Sequence, residues 1–181
     1  MINCIFEYYN KFGNRDYIGE EVSQIEHMTQ SAMLAENDNQ SVEVILACFF
    51  HDIGHLIEFN ETMGNYGTKN HEKIGANFLR KHGFKYPIPE LVENHVKAKR
   101  YLTYKNKDYY KNLSHASQET LIHQGGKMSD KEAKEFESDT LFELSLKMRD
   151  YDERAKIKNK KIKSLEYYKN LSKDYLKSLP I

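Results

Sequence analysis

Proline is nearly missing from this chain, with Pro87, Pro89 and Pro180 the only three in 181 residues. Long helices are therefore unobstructed over most of its length, since no ring removes an interior hydrogen bond. Cysteine is scarcer still. Only Cys4 and Cys48 occur, too few for a disulfide framework, and Cys48 lies inside the apolar run Val44–Phe50, where a buried free thiol in a reducing compartment is the natural reading. Charge of one sign is missing as well: 27 Lys and Arg balance 27 Asp and Glu. That excludes an overall field drawing in nucleic acid or an acidic membrane, though not a local cluster for a phosphate-sized anion. Residues Met1–Glu7 have no positive segment followed by a sustained apolar one, so no signal peptide is expected. No apolar stretch reaches membrane-spanning length. A cytoplasmic protein is expected, with no membrane or nucleic-acid partner. Internal repeats and strand-like alternation are also absent.

What is present is helical periodicity. One domain is expected over 1–181, all-α, with a core from about 16 to 155 and a terminal helix over 164–177. Val22, Ile25, Met28, Ala32 and Ala35 recur three to four apart and predict a helix from Glu20 to Glu36. Ser41 is positioned to cap a second helix from Val42 to about His51, apolar almost all round and hence central. Gly64, Asn65 and Gly67 mark a loop over 58–69. A helix follows from Asn70 to Lys81, with Gly83 just past its end. Pro89 opens a short helix carrying Glu93 to Lys97. Residues 107–124 read as helical up to Gly125-Gly126, Ser129-Asp130 open another helix, and Asp139-Thr140 precede a last long one reaching Arg154. Lys-rich residues 156–163 form a connector.

Five histidines and two aspartates carry the chemistry: His27, His51, Asp52, His55, His71, His95 and Asp152 include every one of them. The adjacent pair His51-Asp52 is the informative one. An imidazole next to a carboxylate that can bridge two cations suits borderline and hard metals. Taken singly, each histidine is more simply an ordinary polar residue. Directly after an all-apolar helix, however, His51-Asp52 would bury two costly polar groups without partners, and metal coordination gives them partners. His27, His71 and His95 fall in separate predicted helices, which a bundle can bring to one internal cluster. His82, His115 and His123 have no such recommendation and are set aside.

The order His27, His51-Asp52, Asp152 resembles the HD superfamily, in which these positions hold a metal inside a helical bundle. The interposed His71 and His95 resemble its two-metal branch. Most HD proteins are phosphohydrolases; a small branch uses two irons and O2. The finer resemblance is to that oxygenase branch, and within it to the glycine-forming 2-amino-1-hydroxyethylphosphonate dioxygenases. It is carried by Tyr17-Ile18-Gly19-Glu20, His51-Asp52-Ile53-Gly54-His55, His95-Val96-Lys97-Ala98-Lys99-Arg100, Gln124-Gly125-Gly126 and Arg149-Asp150-Tyr151-Asp152, spread from about Asp16 to Glu153.

The resemblance implies a mixed-valent Fe(II)/Fe(III) pair bridged by Asp52, with His27, His51 and Asp152 on one iron and His71 and His95 on the other. It implies O2 as co-substrate and a small hydroxyphosphonate as substrate. Tyr17 would occupy the second iron at rest and leave when substrate arrives, with Glu20 its partner in the lid. A helix beginning at Glu20 would put Glu20 two turns before His27 on one face. The plainer reading of Tyr17 is a packed aromatic, one of 13 tyrosines.

An anion pocket follows from spacing. Lys99 is four after His95, His55 four after His51, and Arg149 three before Asp152, so each shares a side with its neighbour. Ser117 and Gln124, seven apart, add neutral donors. Such a set suits a phosphonate or phosphate, and the resemblance assigns His55, Lys99, Ser117, Gln124 and Arg149 to the phosphonate. The expected reaction is O2-dependent cleavage of the carbon–phosphorus bond of a 1-hydroxyalkylphosphonate. The preferred substrate is (R)-2-amino-1-hydroxyethylphosphonate, giving glycine and phosphate, because Glu20 could attract its amine. Hydroxymethyl and trimethylammonio analogues are alternatives. So is hydrolysis of a phosphate ester by the same metals, although that chemistry has no evident need of Tyr17 and Glu20.

Overall fold

The computed structural model describes residues 2–17, 19–57, 62–64 and 66–180. Among them the chain forms ten α-helices and one short 3₁₀ turn, with no strands beyond two isolated bridges. The all-α expectation holds. No helix among the described residues is long and apolar enough to cross a membrane.

Helix α1 (Ile2–Phe12) was not foreseen. Its Ile5, Phe6, Tyr9 and Phe12 are buried at helical spacing, and Tyr9 stacks on Phe49 with ring centroids 4.8 Å apart. Helix α2 (Gln24–Asn37) starts four residues later than expected. The reason is local: Ser23 is its N-cap, and Ser23 and Glu26 close a reciprocal capping box, which satisfies two otherwise orphaned backbone donors. Glu20 therefore lies outside the helix, in a loop closed by an antiparallel bridge between Asp16 and Ser23.

Helix α3 (Val42–Phe50) is the buried centre, every residue from Val44 to Phe50 being inaccessible or nearly so. Ser41 is its N-cap but makes no side-chain cap bond. His51 ends the helix and Asp52 begins the 3₁₀ turn Ile53–His55. Of the loop expected over 58–69, residues 58–61 and 65 lie outside the described residues; Thr62 and Thr68 form the second bridge. Ile18 of the Tyr-Ile-Gly-Glu motif also lies outside them.

Helix α4 (His71–Lys81) packs against the 3₁₀ turn and α5 (Ile88–Lys105). Helix α5 runs 18 residues, far beyond the short segment expected, because nothing after Pro89 interrupts it. The stretch 107–124 divides into α6 (Lys107–Asn112) and α7 (His115–His123), since Ser114 caps the second anew. Helix α8 (Asp130–Glu137) repeats the capping box with Ser129 and Glu132. Helix α9 (Phe142–Arg154) packs on α2 and α5, and α10 (Leu165–Ser178) covers α1 and α3.

The turn after α3 sits directly on the start of α4. A Cβ at Gly54 would meet the His71 carbonyl oxygen at 2.0 Å, and one at Gly75 would meet Ile53 Cγ2 at 3.1 Å. These two glycines let the backbone carrying Asp52 approach the backbone carrying His71, a close contact that side chains would hold apart.

Candidate metal centre

Five elements deliver histidine or aspartate to one buried point. His27 comes from α2, His51 and Asp52 from the end of α3, His95 from α5 and Asp152 from α9, while His71 is the first residue of α4. All six are buried. They form two groups. In the first, His27 Nε2 lies 3.0 Å from His51 Nε2, and Asp152 Oδ1 lies 3.2 Å and 3.7 Å from those two nitrogens. In the second, His71 Nε2 lies 3.0 Å from His95 Nε2. Asp52 stands between them. Its Oδ2 is 3.6 Å and 3.4 Å from His27 and His51, and its Oδ1 is 3.4 Å and 3.5 Å from His71 and His95. One oxygen faces each group.

Hydrogen bonds fix which ring nitrogens carry protons. His27 Nδ1 donates to the Ala155 carbonyl at 3.0 Å, His51 Nδ1 to Cys48 at 2.8 Å and His95 Nδ1 to Val92 at 2.6 Å. The proton on Nδ1 leaves a lone pair on each Nε2. In the first group two such lone pairs then face one another at 3.0 Å beside two carboxylates, an arrangement that repels unless a cation lies among them. The surrounding carboxylates call for positive charge at the same point, supplied by a proton on His51 where no metal ion takes its place. Burial pushes the His51 imidazolium down, yet Asp52 and Asp152 outweigh it and hold the group up at about 9. Both aspartates stay well below the ordinary carboxylate range despite burial, Asp52 through His51 and Asp152 chiefly through Arg149. Asp152 Oδ1 and His71 Nδ1 have no hydrogen-bond partner among the described residues. Imidazole and carboxylate donors in this number suit two divalent or trivalent ions, so the residues fit a metal pair.

His55 also lies within reach of Asp52 and His71, its ring stacked on that of His71 at 4.0 Å. Its Nδ1, however, accepts from the Thr68 backbone N–H at 3.0 Å. The ring proton must then sit on Nε2, which makes His55 a donor into the cavity and His95 the better metal ligand. Burial and then His71 push the His55 imidazolium down to about 3, so the ring is neutral. Gly67, at φ +89°, permits this packing, as a Cβ there would meet His55 Nδ1 at 2.7 Å.

A cavity of about 330 Å³ opens onto the second group. Asp52, His71, His95 and Asp152 line it, as do all five residues expected to hold the anion, His55, Lys99, Ser117, Gln124 and Arg149, and both expected lid residues, Tyr17 and Glu20. Lys99 is buried, and its Nζ donates to Thr120 Oγ1 at 2.9 Å. Burial, then Arg149, push its pKa down to about 7. Arg149 Nη1 pairs with Asp152 Oδ2, and its Nε donates to Glu153 at 2.8 Å and to the Tyr109 hydroxyl at 3.1 Å. Its Nη2 is buried without a partner. An unpartnered guanidinium nitrogen in such a cavity is a ready anion donor.

Tyr17 stacks on the His27 ring at 3.9 Å, so its ring contact is with the first group rather than the second. Burial, then Asp52 and Asp152, keep its hydroxyl protonated well above the usual range. Glu20 does not share a helical face with His27, contrary to expectation, because α2 begins only after Ser23. It is held instead by Lys156, whose Nζ lies 2.6 Å from Glu20 Oε1. Tyr109, Thr120, Lys156 and the Thr68 amide escaped the sequence reading. Thr120 had a signal, standing three after Ser117 on one helix face; Tyr109 and Lys156 arrive only through tertiary packing.

Comparison with known proteins agrees with this geometry. A family model described as HD domain matches residues 24–158. An uncharacterized protein of Acanthamoeba polyphaga mimivirus is 51% identical over 178 residues, covering 97% of this chain and 81% of that protein. A hydroxymethylphosphonate dioxygenase of Gimesia maris is 36% identical over 170 residues, covering 92% and 84%. A (1-hydroxy-2-(trimethylamino)ethyl)phosphonate dioxygenase (glycine-betaine-forming) of Leisingera caerulea is 37% identical over 158 residues, covering 86% and 80%.

Proposed function

Because the chain belongs to the HD-domain family that includes these phosphonate dioxygenases, we propose that it cleaves the carbon–phosphorus bond of a 1-hydroxyalkylphosphonate with O2. The products are inorganic phosphate and a carboxylic acid, and one substrate plus one O2 balances both. The observation that carries this reading is Asp52, with one oxygen toward each of two facing imidazole pairs, beside a cavity lined by Lys99 and by Arg149, whose Nη2 has no partner. Two irons held by His27, His51, Asp52 and Asp152, and by Asp52, His71 and His95, would supply the redox chemistry.

The protein's own contribution is positioning and charge. Arg149 Nη2 and the Lys99 ammonium offset the phosphonate charge, and His55 Nε2–H donates to one of its oxygens. Ser117 and Gln124 orient it from α7. Tyr17, lying over His27, would screen a metal pair and move aside for substrate. The tail of the substrate is a separate matter: attraction of a 2-amino group needs a free Glu20, and Glu20 is paired with Lys156.

Iron-loaded protein in air should release phosphate from hydroxymethylphosphonate or 2-amino-1-hydroxyethylphosphonate with matching O2 uptake. Phosphate release from a phosphate ester without O2, and none from either phosphonate, would overturn the proposal.

A further inference from the structure

The turn after α9 clasps two sides of the site with consecutive residues. The Ala155 carbonyl holds His27 Nδ1 at 3.0 Å. Lys156, next in the chain, reaches across to the lid loop, 2.6 Å from Glu20 Oε1, and to Ser114 Oγ at 3.3 Å, the side chain that caps α7. Its ammonium also lies 5.8 Å from the centre of the Tyr17 ring. The Lys156 and Glu20 side chains are 17% and 13% exposed, so the pair is largely withdrawn from water, where such contacts are weakly screened.

A substrate tail carrying an ammonium needs an anionic partner in the cavity. Among the described residues its lining holds four carboxylates, Asp16, Glu20, Asp52 and Asp152. Asp52 and Asp152 face the histidines. Asp16 is solvent-exposed, beside Arg15, which also lines the cavity. Glu20 is thus the one sheltered carboxylate outside the metal cluster, and Lys156 already neutralises it.

We propose that Lys156 is a specificity-determining residue that, through its ion pair with Glu20, selects a hydroxyphosphonate with a small uncharged substituent over one with a cationic tail. Lys156 acts through Glu20 and is a positioning residue. The inference rests on the oxygenase reading above.

The test compares kcat/KM for hydroxymethylphosphonate and 2-amino-1-hydroxyethylphosphonate on iron-loaded protein, with Kd for each measured anaerobically by calorimetry. The native protein should favour the uncharged compound. Lys156→Met, which frees Glu20, should shift both ratios toward the ammonium compound about tenfold, or about 1.4 kcal/mol, whereas Lys156→Arg should keep the native ratio. Should Lys156→Met fail to fold, Glu20→Gln provides the second arm: an unpaired Lys156 should widen the preference for the uncharged compound. A native preference for the ammonium compound overturns the proposal. So does a ratio indifferent to Lys156→Met, or one moved toward the ammonium compound by Glu20→Gln. Absence of phosphate from both compounds overturns the oxygenase reading and this inference with it, while turnover with an unmoved ratio overturns this one alone.

Discussion

The two halves of the metal centre are built differently. In the half made by His27, His51 and Asp152, both imidazoles donate to backbone carbonyls and neither lines the cavity. In the half made by His71 and His95, only His95 has such a partner, and both rings face the cavity. His71 Nδ1 has no hydrogen bond, its nearest carboxylate being Glu72 Oε2 at 3.8 Å, itself buried and unpartnered. Backbone partners fix ring orientation at no cost in side-chain mobility. The first half is therefore closed and held in orientation, and the second open to the cavity.

That contrast can be broken most severely at the residue the halves share. Asp52→Ala should abolish phosphate release and leave neither ion bound, read by metal analysis after dialysis. His51→Ala should empty the first seat, whereas His71→Ala should leave it filled at one ion per chain. Loss of both ions from His71→Ala would show the halves are not separable.

A smaller effect is expected from the loose partner. Glu72→Gln should weaken the second ion by about tenfold, within the range for residues that orient a ligand, and leave the first unchanged, measured by chelator competition. Equal weakening of both would contradict the asymmetry.

Lys99 tests the open side through pH. With its pKa held down to about 7, Lys99 loses its charge as pH rises through that value, and an anionic substrate binds the charged form. Between pH 7 and 9 kcat/KM should fall in the native protein, and the part due to Lys99 should vanish in Lys99→Met. An identical fall in that variant would exclude Lys99 from the anion site.

The smallest effect lies at the entry to α2. Ser23→Ala removes a capping box and should cost about 1 kcal/mol, lowering Tm by roughly 2–4 °C for a chain of this size with metal content intact. Loss of an ion in this variant would mean that the cap also positions His27.

The sequence reveals residues set at helical offsets better than those brought in by loops. His51-Asp52 after an all-apolar helix, and Lys99 and Arg149 at helical offsets from ligands, were legible because helix periodicity is local. The partners Cys48 and Val92 were legible in principle, each three before its histidine. Glu20 was misplaced because the Ser23–Glu26 capping box competes with the apolar pattern for the helix start, and the cap wins. Helix α1 escaped notice, since its apolar positions acquire meaning only against Phe49 and Phe50. Lys156 sat in a run that reads as solvated surface; only the fold brings residue 156 back to residue 20.

Asp52, with one oxygen toward each imidazole pair, would bridge two ions. Mössbauer spectroscopy of protein loaded with ⁵⁷Fe, with and without hydroxymethylphosphonate, tests it most directly. Two irons per chain are expected, in a magnetically coupled pair whose spectrum changes when substrate is added. One iron per chain, or two uncoupled irons indifferent to substrate, would contradict it.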